Sequence, residues 1–188
     1  MGHMRKYIGL LILMFMVTGC GPTVTLKSFT DPSIQHGSIK SVAIFPMRNS
    51  RLLPDETREV NRKMSQEFHQ NNPSIKIISP SQSIDLLNKY GLTQMYSDFL
   101  RDFATSGIPN VQVLRQINDS LLADAILQGE IFDIYQRDAA AYTYAYTALT
   151  VRYYLISTYN GNVIWEGVSN AKIEGGFFES TAPPLYKA

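Results

Sequence analysis

The chain has 188 residues, with 17 basic side chains, 16 acidic side chains and one cysteine. This charge balance gives no electrostatic case for nucleic-acid binding, and a single cysteine excludes an intramolecular disulfide. The about 169 residues beyond the N-terminal segment are enough for one domain with a buried core.

The N-terminal segment has the layout of a secretory signal peptide. Arg5 and Lys6 precede an apolar run at residues 8–17, and small residues follow that run. The run is about ten residues long, which is too short for a permanent transmembrane helix. Residues 1–3 look like a cloning remnant in front of this signal.

The end of this segment, Val17-Thr18-Gly19-Cys20, resembles the bacterial lipobox. In that motif the signal is cut before a cysteine, which then carries the lipid. We therefore predict a signal peptide over residues 1–19, cleavage between Gly19 and Cys20, and lipidation of Cys20. The alternative is an ordinary signal peptide with a cysteine present by chance.

The residue after Cys20 carries sorting information in enterobacterial lipoproteins, where aspartate retains the protein in the inner membrane. Here that residue is Gly21, so the resemblance implies the outer membrane. The periplasmic face is expected, and surface exposure stays open. Residues 20–38 are predicted to be the lipidated cysteine and an extended or irregular tether. Fully extended, the tether spans at most roughly 60 Å.

The first regular elements follow at residue 39. Residues 39–47 predict a buried central strand, because Val42 and Ile44 alternate with residues that are also apolar. Residues 55–70 predict a helix capped by Asp55, with Val60, Met64 and Phe68 on one face.

A short strand at residues 75–78 leads into further helices. Ser79-Pro80-Ser81-Gln82 is a capping box with proline at the first helical position, and Gly91 marks the end of that helix. Thr93 is expected to cap a third helix, which ends at Gly107. A fourth helix runs to about residue 122. The apolar faces predicted for these two helices consist of Met95, Phe99 and Phe103, and of Val113, Ile117 and Leu121.

In the last third of the chain, the spacing of apolar residues changes from that of helices to that of strands. Residues 125–135, 144–159 and 163–168 predict strands. Asn160-Gly161 predicts a hairpin with a type I′ turn. Residues 176–188 are expected to be irregular. The fold class is therefore α/β, a mixed sheet with helices packed on it and an antiparallel C-terminal hairpin, in a single domain over residues 39–175.

The sequence offers little catalytic chemistry. His3, His36 and His69 have no metal-ligand spacing, and no Gly-x-Ser-x-Gly or phosphate-loop motif occurs. Four acidic residues could pair for acid–base work, but a solvated strand edge is the favoured interpretation; they are Asp124, Glu130, Asp133 and Asp138. We expect no enzymatic activity, no cofactor and no metal.

Three alternating tyrosines are the most distinctive polar-aromatic feature. If their segment is a strand, Tyr142, Tyr144 and Tyr146 project from one face. Such rings can stack on sugars or fill a subunit interface. They can equally pack under helices in the core, and the sequence does not decide between the two.

Several segments together resemble a bacterial envelope family. They are IKSVAIFPMRN at residues 39–49, LLNKYGLT at 86–93, LADAILQGEI at 122–131 and YNGNVIWEG at 159–167. They are similar to the TolB N-terminal-like and CsgG-like superfamily, which includes the Pel-export lipoprotein, LpoB-type activators and neisserial TolB-like lipoproteins. The resemblance implies the α/β fold above and no catalytic residues. Many members end in a further helix, but Pro183 and Pro184 predict that it is short or missing here.

The first functional hypothesis is a non-enzymatic outer-membrane lipoprotein. It would be an accessory or scaffold of an envelope export or assembly machine, and the resemblance includes ring-forming members. The expected partners are the outer membrane, further copies of the chain and envelope proteins, with no nucleic acid. The alternative is a periplasmic regulatory lipoprotein that activates a peptidoglycan synthase. A tether this short keeps the domain near the membrane and favours the first hypothesis.

Overall fold

The computed structural model describes residues 23–33, 37–48, 52–140, 143–176 and 179–184. These residues form six strands and four helices. In chain order they are β1 (Thr23–Thr30), β2 (Ser41–Ile44), α1 (Pro54–Asn71), β3 (Lys76–Ile78), α2 (Pro80–Lys89), α3 (Thr93–Ser106), α4 (Val111–Leu121), β4 (Ala125–Arg137), β5 (Tyr146–Ser157) and β6 (Val163–Glu174). The mixed α/β fold predicted from the sequence is confirmed.

The strands form one six-stranded sheet in the order β1-β6-β5-β4-β2-β3. Strand β2 pairs in parallel with both β3 and β4, and Val42 lies opposite Ile77 on one side and Ala125 on the other. Neighbouring strands β5 and β6 are joined by only five residues, which is too few for a parallel crossover. The sheet is therefore parallel around β2 and antiparallel at the C-terminal hairpin.

Strand β1 differs from the sequence-based expectation. Residues 21–38 were predicted to be a tether, but Thr23–Thr30 forms the edge strand beside β6. All eight of its residues are exposed, so this strand buries neither of its faces, unlike the half-buried strands that alternation usually marks. The sheet therefore begins before the domain boundary predicted at residue 39.

The chain divides into two compact units. The larger unit comprises Thr25–Ile134 and Thr150–Asn170. Of the described residues, the smaller unit comprises Thr23, Val24, those within Tyr135–Leu149 and those from Ala171 onward. Strands β4, β5 and β6 each contribute residues to both.

The core of the larger unit is built on both faces of β2. Ala43 and Phe45 join a cluster with helices α2, α3 and α4. Val42 and Ile44 join a second cluster, which receives Met64 and Phe68 from α1. All four strand-side residues named here are completely buried, which confirms the prediction of a central strand.

The helix ends follow local sequence chemistry only in part. The capping box at Ser79 is confirmed, because Gln82 Oε1 accepts from the Ser79 N–H at 3.0 Å. Asp55 does not cap α1; Glu56 accepts from the N–H of Leu53 at 3.0 Å instead. Thr93 begins α3 without capping it, and its hydroxyl donates to Asn88 Oδ1 at 2.7 Å. Both positions lie one or two residues inside the helix that they were expected to precede.

The buried faces of α3 and α4 are rotated slightly from the predicted ones. In α3 the buried residues are Tyr96, Phe99 and Phe103, with Tyr96 in place of Met95. In α4, Leu114 is buried in place of Val113. In each helix two of the three predicted residues are buried. The third is replaced by the next residue in the chain, which lies 100° further around the helix. Among the described residues, no helix is both long and apolar enough to cross a bilayer.

The C-terminal hairpin is present, but its turn is not type I′. Five residues, 158–162, separate β5 from β6. Gly161 has φ +75°, and Leu122 is the only described non-glycine residue with positive φ, so Asn160 does not meet the type I′ requirement. The Ser157 N–H donates to Asn162 O, and the Gly161 N–H donates to Ser157 O. A longer loop therefore closes the hairpin.

Substitution of Gly161 tests this loop. Valine there would hold an unfavourable positive φ, and its Cβ would lie 2.9 Å from Val111 Cγ2. We expect Gly161→Val to lower the free energy of unfolding by about 1–3 kcal/mol, measured by urea denaturation. Gly91→Val is the matched control, because Gly91 has φ +69° and no atom within 4 Å of the added Cβ. Its loss should be smaller. Equal losses would show that crowding at Val111 contributes nothing.

Candidate functional site

The predicted lipidation site lies outside the described residues. Gly19 and Cys20 precede Thr23, the first residue of the structure and of β1. Cleavage and lipidation therefore stay predictions. The structure adds one constraint, because only two residues separate Cys20 from an ordered strand.

The three alternating tyrosines do not form a ladder on one strand. Strand β5 begins at Tyr146. Tyr144 precedes the strand and is 50% exposed, so it is not a core residue. Tyr142 lies outside the described residues. The strand predicted to begin at residue 144 begins at Tyr146, so Tyr144 lies outside it.

Tyr146 is the centre of a different group of side chains. Its ring stacks on Tyr135 of β4, with ring centroids 5.5 Å apart and planes at 27°. The guanidinium carbon of Arg137 lies 5.0 Å from its centroid, and Lys172 Nζ of β6 lies 4.6 Å from it. We call Tyr135, Arg137, Tyr146 and Lys172 the tyrosine–cation cluster. All four belong to the smaller unit.

The tyrosine–cation cluster lies on the surface. Tyr135 is 51% exposed, and Arg137 and Lys172 are also exposed. An exposed cation over an aromatic face contributes about 0.5–1 kcal/mol. The side chains of the cluster therefore contact one another and are still accessible to a partner.

The charges around the cluster are nearly balanced. Lys172 Nζ lies 2.7 Å from Glu174 Oε1 in an ion pair whose members are each at least 40% exposed. Arg137 has no ion pair with any residue that the structure describes. An exposed pair contributes little to stability, so aromatic surface is the main feature of this site.

The C-terminal segment is hydrogen-bonded to other residues of the same unit. The Thr147 hydroxyl is fully buried and donates to Pro183 O. The Ala139 N–H donates to Ser180 O, and Asp138 accepts from the Ala182 N–H at 2.9 Å. Residues 179–184 form neither helix nor strand, as the two prolines predicted. This irregular segment is nevertheless held by the sheet.

The four acidic candidates have separate structural roles. Asp138 accepts from the tail, as above, and Glu130 lies 3.7 Å from Arg48. Asp133 also makes an interaction within the structure. Asp124 accepts backbone N–H groups from Lys40 at 2.8 Å and Ser41 at 3.0 Å. Among the described residues, no group of three or more His, Cys, Asp or Glu side chains could hold a metal.

The carboxylate of Asp124 accepts hydrogen bonds from Lys40, Ser41 and Tyr159. Burial raises the pKa of its carboxyl, but hydrogen bonds from the Lys40 N–H, the Tyr159 hydroxyl and Ser41 outweigh burial and hold the pKa below its usual value. The Tyr159 hydroxyl donates at 3.0 Å. These contacts stabilise the ionised form and explain why Asp124 is a structural residue.

No local pattern in the sequence marks the other members of the tyrosine–cation cluster. Tyr135 and Arg137 come from β4 and Lys172 from β6. Their meeting depends on how the strands pair, which residue alternation alone does not specify.

Comparison with solved structures supports the fold. Lipoprotein GNA1162 from Neisseria meningitidis has a TM-score of 0.53 at 11% identity, covering 72% of this chain and 83% of that chain. A PelC dodecamer from Paraburkholderia phytofirmans has a TM-score of 0.48 at 14% identity, covering 81% and 82%. The LpoB C-terminal domain from Escherichia coli has a TM-score of 0.42 at 15% identity, covering 73% and 86%. No family model and no curated protein matches the sequence. The likeness to GNA1162 shows the fold alone.

The pKa of Asp124 leads to a pH-dependent prediction. Its folded pKa is lowered, so its contribution to stability is present above the unfolded pKa of about 3.9 and is lost as pH falls through the folded pKa. We expect Asp124→Asn to cost about 1 kcal/mol at pH 7 and less near about pH 3, measured by urea denaturation at both. Asp85→Asn, at an exposed position on α2, should change neither value. A loss for Asp124→Asn that is independent of pH would contradict the role assigned to its charge.

Proposed function

We propose that this chain is a non-enzymatic lipoprotein of the bacterial outer membrane, an accessory or scaffold component of an envelope export or assembly machine. The observation that carries the proposal is Val17-Thr18-Gly19-Cys20 at the end of a short apolar run with basic residues in front. The fold likeness to lipoprotein GNA1162 supports it. Gly21 supports the outer membrane as the destination, by the sorting rule of enterobacterial lipoproteins.

The position of β1 supports a role at the membrane surface. Strand β1 begins at Thr23, so three residue steps separate it from the lipid on Cys20. Those steps span at most about 11 Å. Such an anchor holds the folded chain against its own membrane, whereas an activator of a distant synthase needs reach. This short distance favours the export or assembly role over the activator role.

The separate roles of the acidic side chains support a non-enzymatic function. Asp124 is engaged by backbone N–H groups, Glu130 by Arg48 and Asp138 by the tail. A carboxylate pair for general acid–base catalysis needs two groups that face one reacting centre.

The same proposal includes self-association through the outer edge of β1. Within the part of the chain that the structure describes, β1 has a strand neighbour on one side only. Val24, Leu26 and Phe29 are each 57–59% exposed, and Lys27 is its one charged residue. An exposed apolar edge pairs readily with another strand. Shared anchoring in one membrane raises the effective concentration of copies, so a second copy is the proposed partner.

Removal of the cysteine tests the anchor. Cys20→Ser should abolish incorporation of a fatty-acid analogue and leave the signal uncut or misprocessed, because the lipid has no attachment atom. Metabolic labelling followed by mass spectrometry of the N-terminal peptide measures both. Equal label in wild type and variant would contradict lipidation at Cys20.

A charge on β1 tests self-association. By light scattering, we expect the lipidated protein in detergent to form an assembly larger than a monomer. Leu26→Lys should reduce the mass of that assembly, because a charged residue on an edge strand opposes edge pairing. Leu53→Lys is the control, since Leu53 is 66% exposed and lies outside β1. A strictly monomeric wild type, in detergent and in crosslinked native membranes, would overturn this part of the proposal.

A further inference from the structure

The anchored end of the chain enters the fold in the smaller unit. Thr23 and Val24 belong to the same compact unit as the tyrosine–cation cluster. The N–H of Asp31, just after β1, donates to Ile164 O near the start of β6. The two neighbouring strands therefore run in opposite directions, and the start of β1 lies beside the end of β6. Lys172 of the cluster is in that end of β6.

The exposed side chains of this unit suit the surface of a bilayer. Tyr135 and Tyr144 are 51% and 50% exposed. Tyrosine is enriched at membrane–water interfaces, because its ring is apolar and its hydroxyl stays hydrated. Arg137 and Lys172 have long apolar stems that can lie along apolar surface while their charged ends remain in water.

The length of the anchor makes the contact hard to avoid. Thr23 lies at most about 11 Å along the chain from Cys20. The polar headgroup region on each side of a bilayer is about 5–8 Å thick. A lipid-bearing Cys20 therefore brings the start of β1 to headgroup level. At the high effective concentration this creates, even a weak attraction keeps the unit on the surface.

The carboxylates of the unit decide what kind of contact this is. Glu174 is paired with Lys172, Asp138 accepts from Ala182, and Glu179 accepts from the Gly176 N–H at 3.0 Å. These three acidic groups outnumber the two cations of the cluster by one. This excess of negative charge disfavours a strongly anionic ligand and favours an aromatic contact that depends little on salt.

We infer that the smaller unit rests on the bilayer that holds the lipid of Cys20, with Tyr135, Tyr144 and Tyr146 at headgroup level. This inference rests on the proposed lipidation. It assigns the tyrosine–cation cluster to a lipid surface and leaves the outer edge of β1 for a second copy.

The test uses the mature lipidated protein in phosphatidylcholine vesicles. Acylation of Cys20 is first verified by mass spectrometry, and acylated Cys20 offers no free thiol. Tyr144→Cys then supplies a single labelling site, and Gln116→Cys, at an exposed position on α4, supplies the matched control. Each carries the same fluorophore. Its quenching is measured with aqueous iodide and with a lipid that bears a nitroxide on its headgroup.

We expect the label at residue 144 to be at least about threefold less accessible to iodide than the label at 116, and to be quenched by the nitroxide lipid, as for groups at the interface. Adding Tyr135→Ser should increase iodide access at residue 144. Adding Tyr90→Ser should not, although Tyr90 is similarly exposed at 48%. Replacing part of the phosphatidylcholine by phosphatidylglycerol, or raising the salt, should change these values little.

The outcomes separate this inference from the proposed function. Absence of lipid on Cys20 would overturn both. A lipidated protein with equal iodide access at residues 144 and 116 would leave the proposed function standing and overturn the membrane contact. Shielding from iodide without quenching by the nitroxide lipid would show that protein covers the tyrosines, and would also overturn it.

Discussion

The parallel pairing of β2 with β4 is the contact around which both core clusters form, and Asp124 reinforces it at the start of both strands. Asp124 accepts from the N–H groups of Lys40 and Ser41, more than 80 residues earlier in the chain. Its own N–H donates to Ser41 O, and its carbonyl accepts from Thr158. One residue thereby joins the start of β2, the start of β4 and the end of β5. Because β2 carries both core clusters, the register fixed here sets which side chains meet the helices on either face.

Elements whose signal is local could be predicted from the sequence. Strand β2 was found because both of its faces are apolar, and α2 because Ser79 and Gln82 form a capping box with Pro80. The turn at Gly161 was located but mistyped, since a five-residue loop and a type I′ turn both use glycine at positive φ. Strand β1 was not predicted because Pro22, Pro32 and Gly37 around it indicate an irregular segment. It is a strand only because β6 provides hydrogen-bond partners, and no local pattern reports that pairing.

The candidate site divides in the same way. The predicted lipid attachment at Cys20 depends on a contiguous motif, so the sequence alone could state it. The tyrosine–cation cluster depends on three strands, and Arg137, Tyr135 and Lys172 are 9, 11 and 26 residues from Tyr146 along the chain. The alternation in the sequence predicts that Tyr146 shares a face with Tyr142 and Tyr144, which are close to it along the chain. Cross-strand register, which places Tyr135, Arg137 and Lys172 around the ring, is a property of the assembled sheet.

The position of β1 also determines how mechanical force reaches the fold. In a lipidated chain, drag on the anchor acts first on Thr23, at the end of the edge strand, with almost no slack to absorb it. Force directed along β1 loads its hydrogen bonds with β6 together, in shear. Force directed away from the sheet opens them one at a time, as in peeling. The parallel strands around β2 lie three or more strands further in. A pull on the anchor of a lipidated chain is therefore carried first by the bonds between β1 and β6, before it reaches the parallel strands around β2.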